Sequence, residues 1–576
     1  MNKWVRVNTR EGSVRVEKCS DQELRWGGRN LIAKLILREV PPTCDPIGRY
    51  NKLILAEGLL GDTILATAGR LSIGGKSPLT GGVKESSVGG EAGRKMARLG
   101  IKAVILEDVP ADPTPRVLFI SEKECRLFDM PDLGRLTVSV TFRKLRERFG
   151  DDAGLMCVGP AGEMRLSAAA LAVQGAGGGQ VRLAGRGGLG AVMGAKGIKA
   201  VVFDDREVQP AKAYDAAKMR EVSKDFSRIL LKDPKTANRH NFGTPAVLSV
   251  CNELGILPTR NFSAGRFERA GDISGETISD LIQKRGGEAR KGLPCIKGCV
   301  IRCCNVFADP CGRKTVASIQ YENIALLGSN LNIGNIDDVA ELNHLCNETG
   351  IDAIDAGAAI GVAMEAEVLP FGDAEGAKDI LRQVGQGTPL GRIIGSGVSI
   401  TGKVFGARRV PAVKGQAIPG YDPRALKGIG VTYVTSPMGP DHTAGNALET
   451  ASTVDPLGTR GQVEVSRRLQ LRAAILDSLG LCLFVRPAFV KDPGLFGRML
   501  GARYGWDWSY QDIREMGKGC LEDERKFNEM AGVSENFFQL PEFMREEPLP
   551  PRNTVYDIPT GEMQRIWSVE PPKDVF

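Results

Sequence analysis

The chain reads as an α+β fold whose first 205 residues are strand-rich and whose remainder is mainly helical. Before residue 205, short apolar runs (KLILAEG, KAVILED, RVLFISE and KAVVFDD) stand between Gly/Pro turns, the pattern of buried strands. After Asp205, segments such as AYDAAKMREVSKDFSRILLK, IDDVAELNHLCNE and VEVSRRLQLRAAILDSLG carry apolar residues at helical spacing. At 576 residues the chain is too long for one hydrophobic core. Soft boundaries near 205 and 410 divide it into segments 1–205, 206–410 and 411–576.

Taken in order, MNKWVRVNTREGSVRVEK alternates apolar and polar residues like a strand and turns at Glu11-Gly12. It lacks the apolar core of a signal peptide. No later stretch approaches the roughly 20 apolar residues of a membrane helix, so a cytoplasmic protein without a membrane span is expected. Gly/Pro-rich stretches near 255–275, 365–425 and 433–460 read as loops, and the Pro- and charge-rich last 30 residues as a surface wrap. The net charge of +7 comes without a run of five or more Lys/Arg, which argues against nucleic acid as a partner. A mild positive balance suits a small acidic partner or a polyanionic cofactor. Glycine, at 71 residues, has no collagen-like period and marks sharp turns or close approaches.

Thirteen cysteines are present, nine scattered and four crowded: Cys295, Cys299, Cys303 and Cys304. Thiolates three or four residues apart converge on one centre if the chain loops around it, which Pro294 and Gly298 assist. Iron–sulfur clusters are held this way, usually with a fourth cysteine from afar. Zinc, which usually shows two paired-Cys knuckles, and a cluster of unligated buried thiols are the alternatives.

The stretch Gly185-Arg186-Gly187-Gly188-Leu189-Gly190 contains Gly-x-Gly-x-x-Gly, with Asp204 closing the next strand. A dinucleotide fold is excluded because Gly194 and Gly197 end the helix after two turns, too short for a crossover. The stretch reads instead as a loop whose bare N–H groups cradle phosphates, with Arg186 and Lys196 balancing charge, or as a turn without a ligand. A second Gly-bearing loop runs from Gly69 and Arg70 to Gly82 and is followed by Glu85 and Ser87 to Gly90. Asp352, Asp355 and Gly357 open a small-residue helix, and Asp477, Gly480, Leu481 and Cys482 end another; alone, such acids are ordinarily caps or turn residues. Of three histidines, His442 lies in a polar loop and suits proton chemistry. His344 pairs with Glu341 at helical spacing, more in the manner of a solvated face, and His240 has no context.

Read together, WGGRNLIAKLILREVPPTCDP, AGRLSIGGKSPLTGGVKESSVGG, GRGGLGAVMGAKG, GILPTRNF, YENIALLGSN, GYDPRALKGIGVTYVTSPMGPDH and DSLGLC resemble, in order, segments of the aldehyde ferredoxin oxidoreductase family over most of the chain. The resemblance implies an N-terminal platform of two β-sheets followed by two mainly helical domains. Between them it implies a tungsten or molybdenum bis-pyranopterin, without a protein side chain on the metal. Asp352 and Asp477 are then the acids that fix the pterins, with Asp355 as rival to Asp352, and Gly357, Gly480 and Leu481 beside the rings. Arg186 to Gly190 and Ser87, Gly89 and Gly90 surround the pterin phosphates, which Mg2+ bridges. Arg70 lies between cluster and pterin. Cys482 joins Cys295, Cys299 and Cys303 around a 4Fe-4S cluster, although here three residues rather than two separate the first two cysteines, and Cys304 rivals Cys303.

Glu322 and His442 are the implied acid/base pair. The implied reaction is oxidation of a small aldehyde to its acid with ferredoxin or an iron–sulfur subunit as acceptor, or the reverse. Reduction of an aromatic acyl-CoA thioester in a larger complex is the alternative, and a non-catalytic electron-transfer or scaffold protein lies outside the class. The resemblance is compatible with a homodimer, to which Glu341 and His344 belong in some relatives, or with a hetero-oligomer.

Overall fold

The computed structural model describes residues 2–177, 179–534 and 539–569. Its first 204 residues build two six-stranded sheets. The first comprises β1 (Lys3–Asn8), β2 (Ser13–Lys18), β3 (Leu53–Glu57), β4 (Leu71–Lys76), β5 (Val83–Val88) and β6 (Ile101–Glu107). The second comprises β7 (Arg116–Ser121), β8 (Cys125–Asp129), β9 (Gly154–Val158), β10 (Leu171–Gln174), β11 (Val181–Ala184) and β12 (Ile198–Asp204). The orders are β2-β1-β6-β3-β4-β5 and β11-β10-β9-β12-β7-β8. In each sheet the first and last strands of the unit pair in parallel (β1 with β6, β7 with β12), and the other pairings are antiparallel.

Strand periodicity decides how the layers stack, because successive side chains leave on opposite faces. Leu53 and Leu55 of β3, with Val201 and Phe203 of β12, enter a core shared by the two sheets. Ile54 and Ala56 face the other way, onto the helix Gly28–Glu39, whose Leu31, Ile32, Leu35 and Ile36 form one apolar stripe. Ala200 and Val202 likewise pack under the helix Val138–Phe149. Both sheets are thus covered on both faces, which explains why their strands read as continuous apolar runs.

Beyond residue 205 the chain is mainly helical, as the spacing predicts. The helices Ala216–Lys232, Gln462–Leu479, Leu495–Tyr504 and Tyr510–Met530 share one core, and a larger core joins residues 161 to 566. Two expectations are corrected. The segment 365–425 is no long loop: Asp373 and Thr388 cap the helices Ala374–Gln386 and Pro389–Gly395, and Val398–Phe405 follows. Its glycines end helices rather than abolish them, Gly387 and Gly406 sitting in the left-handed region just past two of these helices. The C-terminal segment, expected as a surface wrap, buries Leu549, Tyr556, Ile558, Met563 and Ile566 in the large core. No helix among the described residues is long and apolar enough to cross a membrane.

Candidate functional site

The site forms where the loop after β11, the helix Tyr321–Leu327 and the buried loop 435–442 meet. Positive φ at Gly187 and left-handed geometry at Gly188 turn the chain from β11 into the two-turn helix Leu189–Ala195. No side chain fits at Gly187, where a Cβ would lie 2.2 Å from Lys84 Cγ. This turn buries Arg186, whose Nη2 donates to Ala417 O at 2.5 Å and whose Nε stands 3.5 Å from Asp352 Oδ2. Nε and Nη1 are buried without a hydrogen-bond partner, so two donors remain for an anion. Leu189 itself packs in the sheet core, and Gly190 lies against the Ala169–Ala170 backbone. Lys196, expected to balance phosphate charge, caps the far end of the helix and spends its ammonium on the carbonyls of Asn51 (2.6 Å) and Asp108 (3.0 Å).

Glu322 and His442 come together. His442 Nδ1 stands 3.4 Å from Glu322 Oε1, and both atoms are buried without a hydrogen-bond partner. Glu322 Oε2 accepts from Gly420 N at 2.8 Å, which fixes the carboxyl plane. Burial raises the Glu322 pKa above its usual value of 4.5, against the opposing pull of His442. The Tyr421 ring lies 6.1 Å from the imidazole and 4.8 Å from Tyr321, so the pair has an aromatic wall. Next to His442, Asp441 forms an ion pair with Lys84 (2.5 Å) and accepts from Thr443 N (2.9 Å). Burial opposes the Asp441 charge, but Lys84 and Arg186 hold its pKa far below the carboxylate range. A carboxyl poised to exchange a proton thus sits beside one locked as an anion.

The expected pterin acids differ in what they do. Asp352 caps the helix Ala353–Glu365, accepting from Ile354 N (3.1 Å) and Asp355 N (3.4 Å), and it also faces Arg186. One residue thus caps a helix and faces the buried Arg186. Asp355 uses both oxygens on the backbone N–H groups of Val398 and Ala417, and burial, then Asp352, raises its pKa to about 6. Gly357, expected beside a ring, lets two helices touch, since a Cβ there would lie 2.6 Å from Leu326 O.

Asp477 is buried at the end of the helix Gln462–Leu479, 3.7 Å from Arg29 Nη1. Burial raises its pKa to about 6. Arg29 pairs more closely with Glu524 (2.7 and 2.8 Å). Glu85, also buried, leaves Oε1 unpartnered, and burial, reinforced by Asp477, raises its pKa to about 8. Gly480 adopts the left-handed conformation after this helix, and its carbonyl accepts from Gly69 N and Arg70 N, both at 3.1 Å. Leu481 is buried and bridges to Ala68.

Arg70 joins the two halves of the site, donating to Ser87 Oγ (2.9 Å) and Ser87 O (2.8 Å). Beyond Ser87, Gly89 brings the backbone against the cysteine loop, where a Cβ would lie 3.0 Å from Cys295 Sγ. Gly90, at φ 131, then opens the helix Glu91–Arg98. Cys295, Cys299, Cys303 and Cys304 are all buried in one small cluster, and Cys482 is half-buried. Hydrogen bonds from Cys299 and Cys304 lower the Cys295 pKa, and burial pushes Cys482 up to about 11. Arg182 of β11 is held charged by Cys304 first, against the cost of its burial, and then by Cys295, Cys303 and Cys482, which places one cation among four sulfurs. Among the described residues no three of His, Cys, Asp or Glu close to metal-holding geometry. What the donor set offers is a soft, thiol-rich pocket of the kind iron–sulfur clusters use.

Sequence reading assigned no role to Lys84, Glu85, Arg29, Glu524, Asp441 or Arg182. The one available signal was a pair of charges, Lys84-Glu85, in a stretch whose neighbours are apolar or small.

A family model described as "Aldehyde ferredoxin oxidoreductase, N-terminal domain" matches residues 4–205, and one described as "Aldehyde ferredoxin oxidoreductase, domains 2 & 3" matches residues 221–566. The tungsten-containing aldehyde ferredoxin oxidoreductase of Pyrococcus abyssi is 32% identical over 95% of this chain and 92% of its own. That of Pyrococcus furiosus is 30% identical over the same shares. In fold, the chain is similar to the active-site complex BamBC of benzoyl coenzyme A reductase in complex with 1,5-dienoyl-CoA, at TM-score 0.79 and 18% identity, covering 98% of this chain and 93% of that one.

Proposed function

Because the chain belongs to the aldehyde ferredoxin oxidoreductase family and is an oxidoreductase, we propose that it oxidises aldehydes to carboxylic acids, and runs the reverse, with ferredoxin or an iron–sulfur subunit as electron acceptor. The observation that carries this reading is the facing pair of unsatisfied buried atoms, Glu322 Oε1 and His442 Nδ1, 3.4 Å apart.

Its relatives contain tungsten, and the residues present fit a polyanionic pterin cofactor. Arg186 keeps two buried donors for phosphate, Asp352 and Asp477 provide acceptors for pterin N–H groups, and the Gly187-Gly188 turn lets backbone approach. Mg2+ would serve as a counter-ion to those phosphates in the same proposal. Cys295, Cys299, Cys303 and Cys482 would hold a 4Fe-4S cluster, with Arg70 between it and the pterin. When bound, the tungsten bis-pyranopterin supplies the two-electron chemistry.

The protein's own residues handle protons and orientation. Aldehyde and water give acid, two protons and two electrons. Glu322, held above its usual pKa by burial, takes a proton from the attacking water at Oε1. Charge on the aldehyde oxygen is met by a donor on the His442 ring, which Asp441 at 3.9 Å and Glu322 orient. Tyr421 and Tyr321 exclude water from one side of the pair.

Glu322→Gln and His442→Ala should each lower aldehyde-dependent dye reduction by about 10²- to 10⁴-fold, the usual reach of general acid–base catalysis. Tungsten and iron contents should stay at the wild-type level. Undiminished turnover in both variants would remove the proposed roles.

A further inference from the structure

The cysteine loop reaches the protein surface, and its exposed residues are basic. Lys297 is exposed between buried Cys295 and Cys299, and Arg302 is exposed between Cys299 and Cys303. Two neighbouring elements extend this rim. Ala176 N donates to Cys295 O at 3.2 Å, and exposed Lys314 donates to Gly179 O at 2.6 Å. On the other side, the Arg239 guanidinium lies 4.2 Å over the Phe484 ring, two residues past Cys482. Leu483 and Phe484 are half-buried, so an apolar floor lies inside the basic rim.

None of these cations is tied into an ion pair. Among the described residues no carboxylate stands within 4.0 Å of the side-chain nitrogens of Lys297, Arg302, Arg239 or Lys314. Arg302 and Lys314 spend one donor each on backbone carbonyls, Gly292 O at 2.7 Å and Gly179 O at 2.6 Å, which holds the charge in place without neutralising it. Exposed cations elsewhere divide between those held by an acid, such as Arg206 with Asp204 and Lys123 with Glu207, and those that are not; the rim is set apart by lying around the cysteine loop. Glu288 also reaches the rim, but its carboxylate accepts the Lys314 main-chain N–H at 2.8 Å rather than the ammonium.

Resting on the redox reading above, we propose that this rim is the docking site of an acidic one-electron iron–sulfur protein. Exposed cations without an acid partner of their own complement an anionic surface, and half-buried Leu483 and Phe484 add an apolar contact beside the cysteine loop. The balance is one aldehyde and one water, with two oxidised carrier molecules, giving one acid, two protons and two reduced carrier molecules. Each carrier therefore docks, takes one electron and leaves, which a weak, charge-steered contact serves better than a tight one.

The test compares a purified ferredoxin of net negative charge with methyl viologen, a small dye that needs no protein docking surface, using the whole holoenzyme. Lys297→Glu and Lys314→Glu, made singly, should each lower kcat/KM for ferredoxin about 3- to 10-fold at low ionic strength, through KM. The difference from wild type should shrink as salt is raised. Dye turnover and iron content should be unchanged. Ferredoxin kinetics unaltered in both variants, or ferredoxin binding that persists undiminished at high salt, would overturn the proposal. Calorimetric titration of ferredoxin without turnover keeps the two readings apart: binding that weakens on charge reversal supports the docking site even if no aldehyde is oxidised, whereas dye turnover absent from the wild type counts against the redox reading alone.

Discussion

Replacing Glu85 with Gln should flatten the alkaline side of this protein's stability profile. One guanidinium, that of Arg29, serves a buried group of three carboxyls: it contacts Glu524 at 2.7 Å and Asp477 at 3.7 Å, and Glu85 keeps an unpartnered oxygen. Burial first, and then the neighbouring Asp477, outweigh the pull of Arg29 and Lys84, so Glu85 keeps its proton up to about pH 8 against an ordinary value of 4.5. The folded protein then holds a proton that the unfolded chain has released between those values. The contribution is fully present below about pH 4.5 and is lost as the pH rises to about 8. At ~1.4 kcal/mol per pH unit the loss is about 5 kcal/mol. Unfolding entropy of ~2.1 cal/mol/K per residue, summed over this chain, turns that into about 4 °C in Tm. Melts recorded by circular dichroism from pH 5 to 9 at fixed ionic strength should show the wild type falling by that amount more than Glu85→Gln, whose neutral amide has no proton to lose. Parallel curves for the two proteins would refute the assignment of the proton to Glu85.

Other outcomes follow from the same geometry. Lys84→Met leaves Asp441 buried without its ion partner and should cost about 3–5 kcal/mol, visible as a lower Tm that Asp441→Asn partly restores in the double variant. Cys303→Ser should lose iron and the cluster's electron paramagnetic resonance signal, whereas Cys304→Ser, on the strand Cys304–Ala308, should keep both; the reverse pattern would exchange their roles. Arg186→Gln should release pterin and tungsten together, measured by pterin fluorescence and elemental analysis, because it removes the buried cation that faces Asp352. Unchanged cofactor content in that variant would detach Arg186 from the phosphates.

The fold was legible where periodicity is strong. Strand runs such as KLILAEG show period-2 division into two cores once the register is known, and the short helix after Gly188 was readable from Gly194 and Gly197 alone. Segment 365–425 was misread because glycine both breaks helices and terminates them, and only tertiary packing of Ile380, Leu381 and Val384 tells which. Within the site, Glu322 and His442 were named from loop character and resemblance, and they meet. Lys84, Glu85 and Arg29 were not, because a buried charge is recognisable only through its partner, and Asp441, Asp477 and Glu524 lie hundreds of residues away. Gly357 shows a requirement that periodicity could not reveal, since the neighbouring helix leaves no room for a side chain there.

Gly480, the left-handed residue that ends the helix Gln462–Leu479, packs against the backbone of Gly58, and this contact limits how the molecule can vary. A methyl group on Gly58 would fall 2.2 Å from the Gly480 α-carbon, and one on Gly480 would fall 2.9 Å from the Gly58 α-carbon, at a backbone angle that side chains avoid. Neither substitution repairs the other. Two positions far apart along the chain are therefore locked as a matched pair, and a mutational library that randomises both should return glycine at each among functional survivors. Anyone transplanting the Cys482 turn to a different scaffold would have to transplant its glycine counterpart as well.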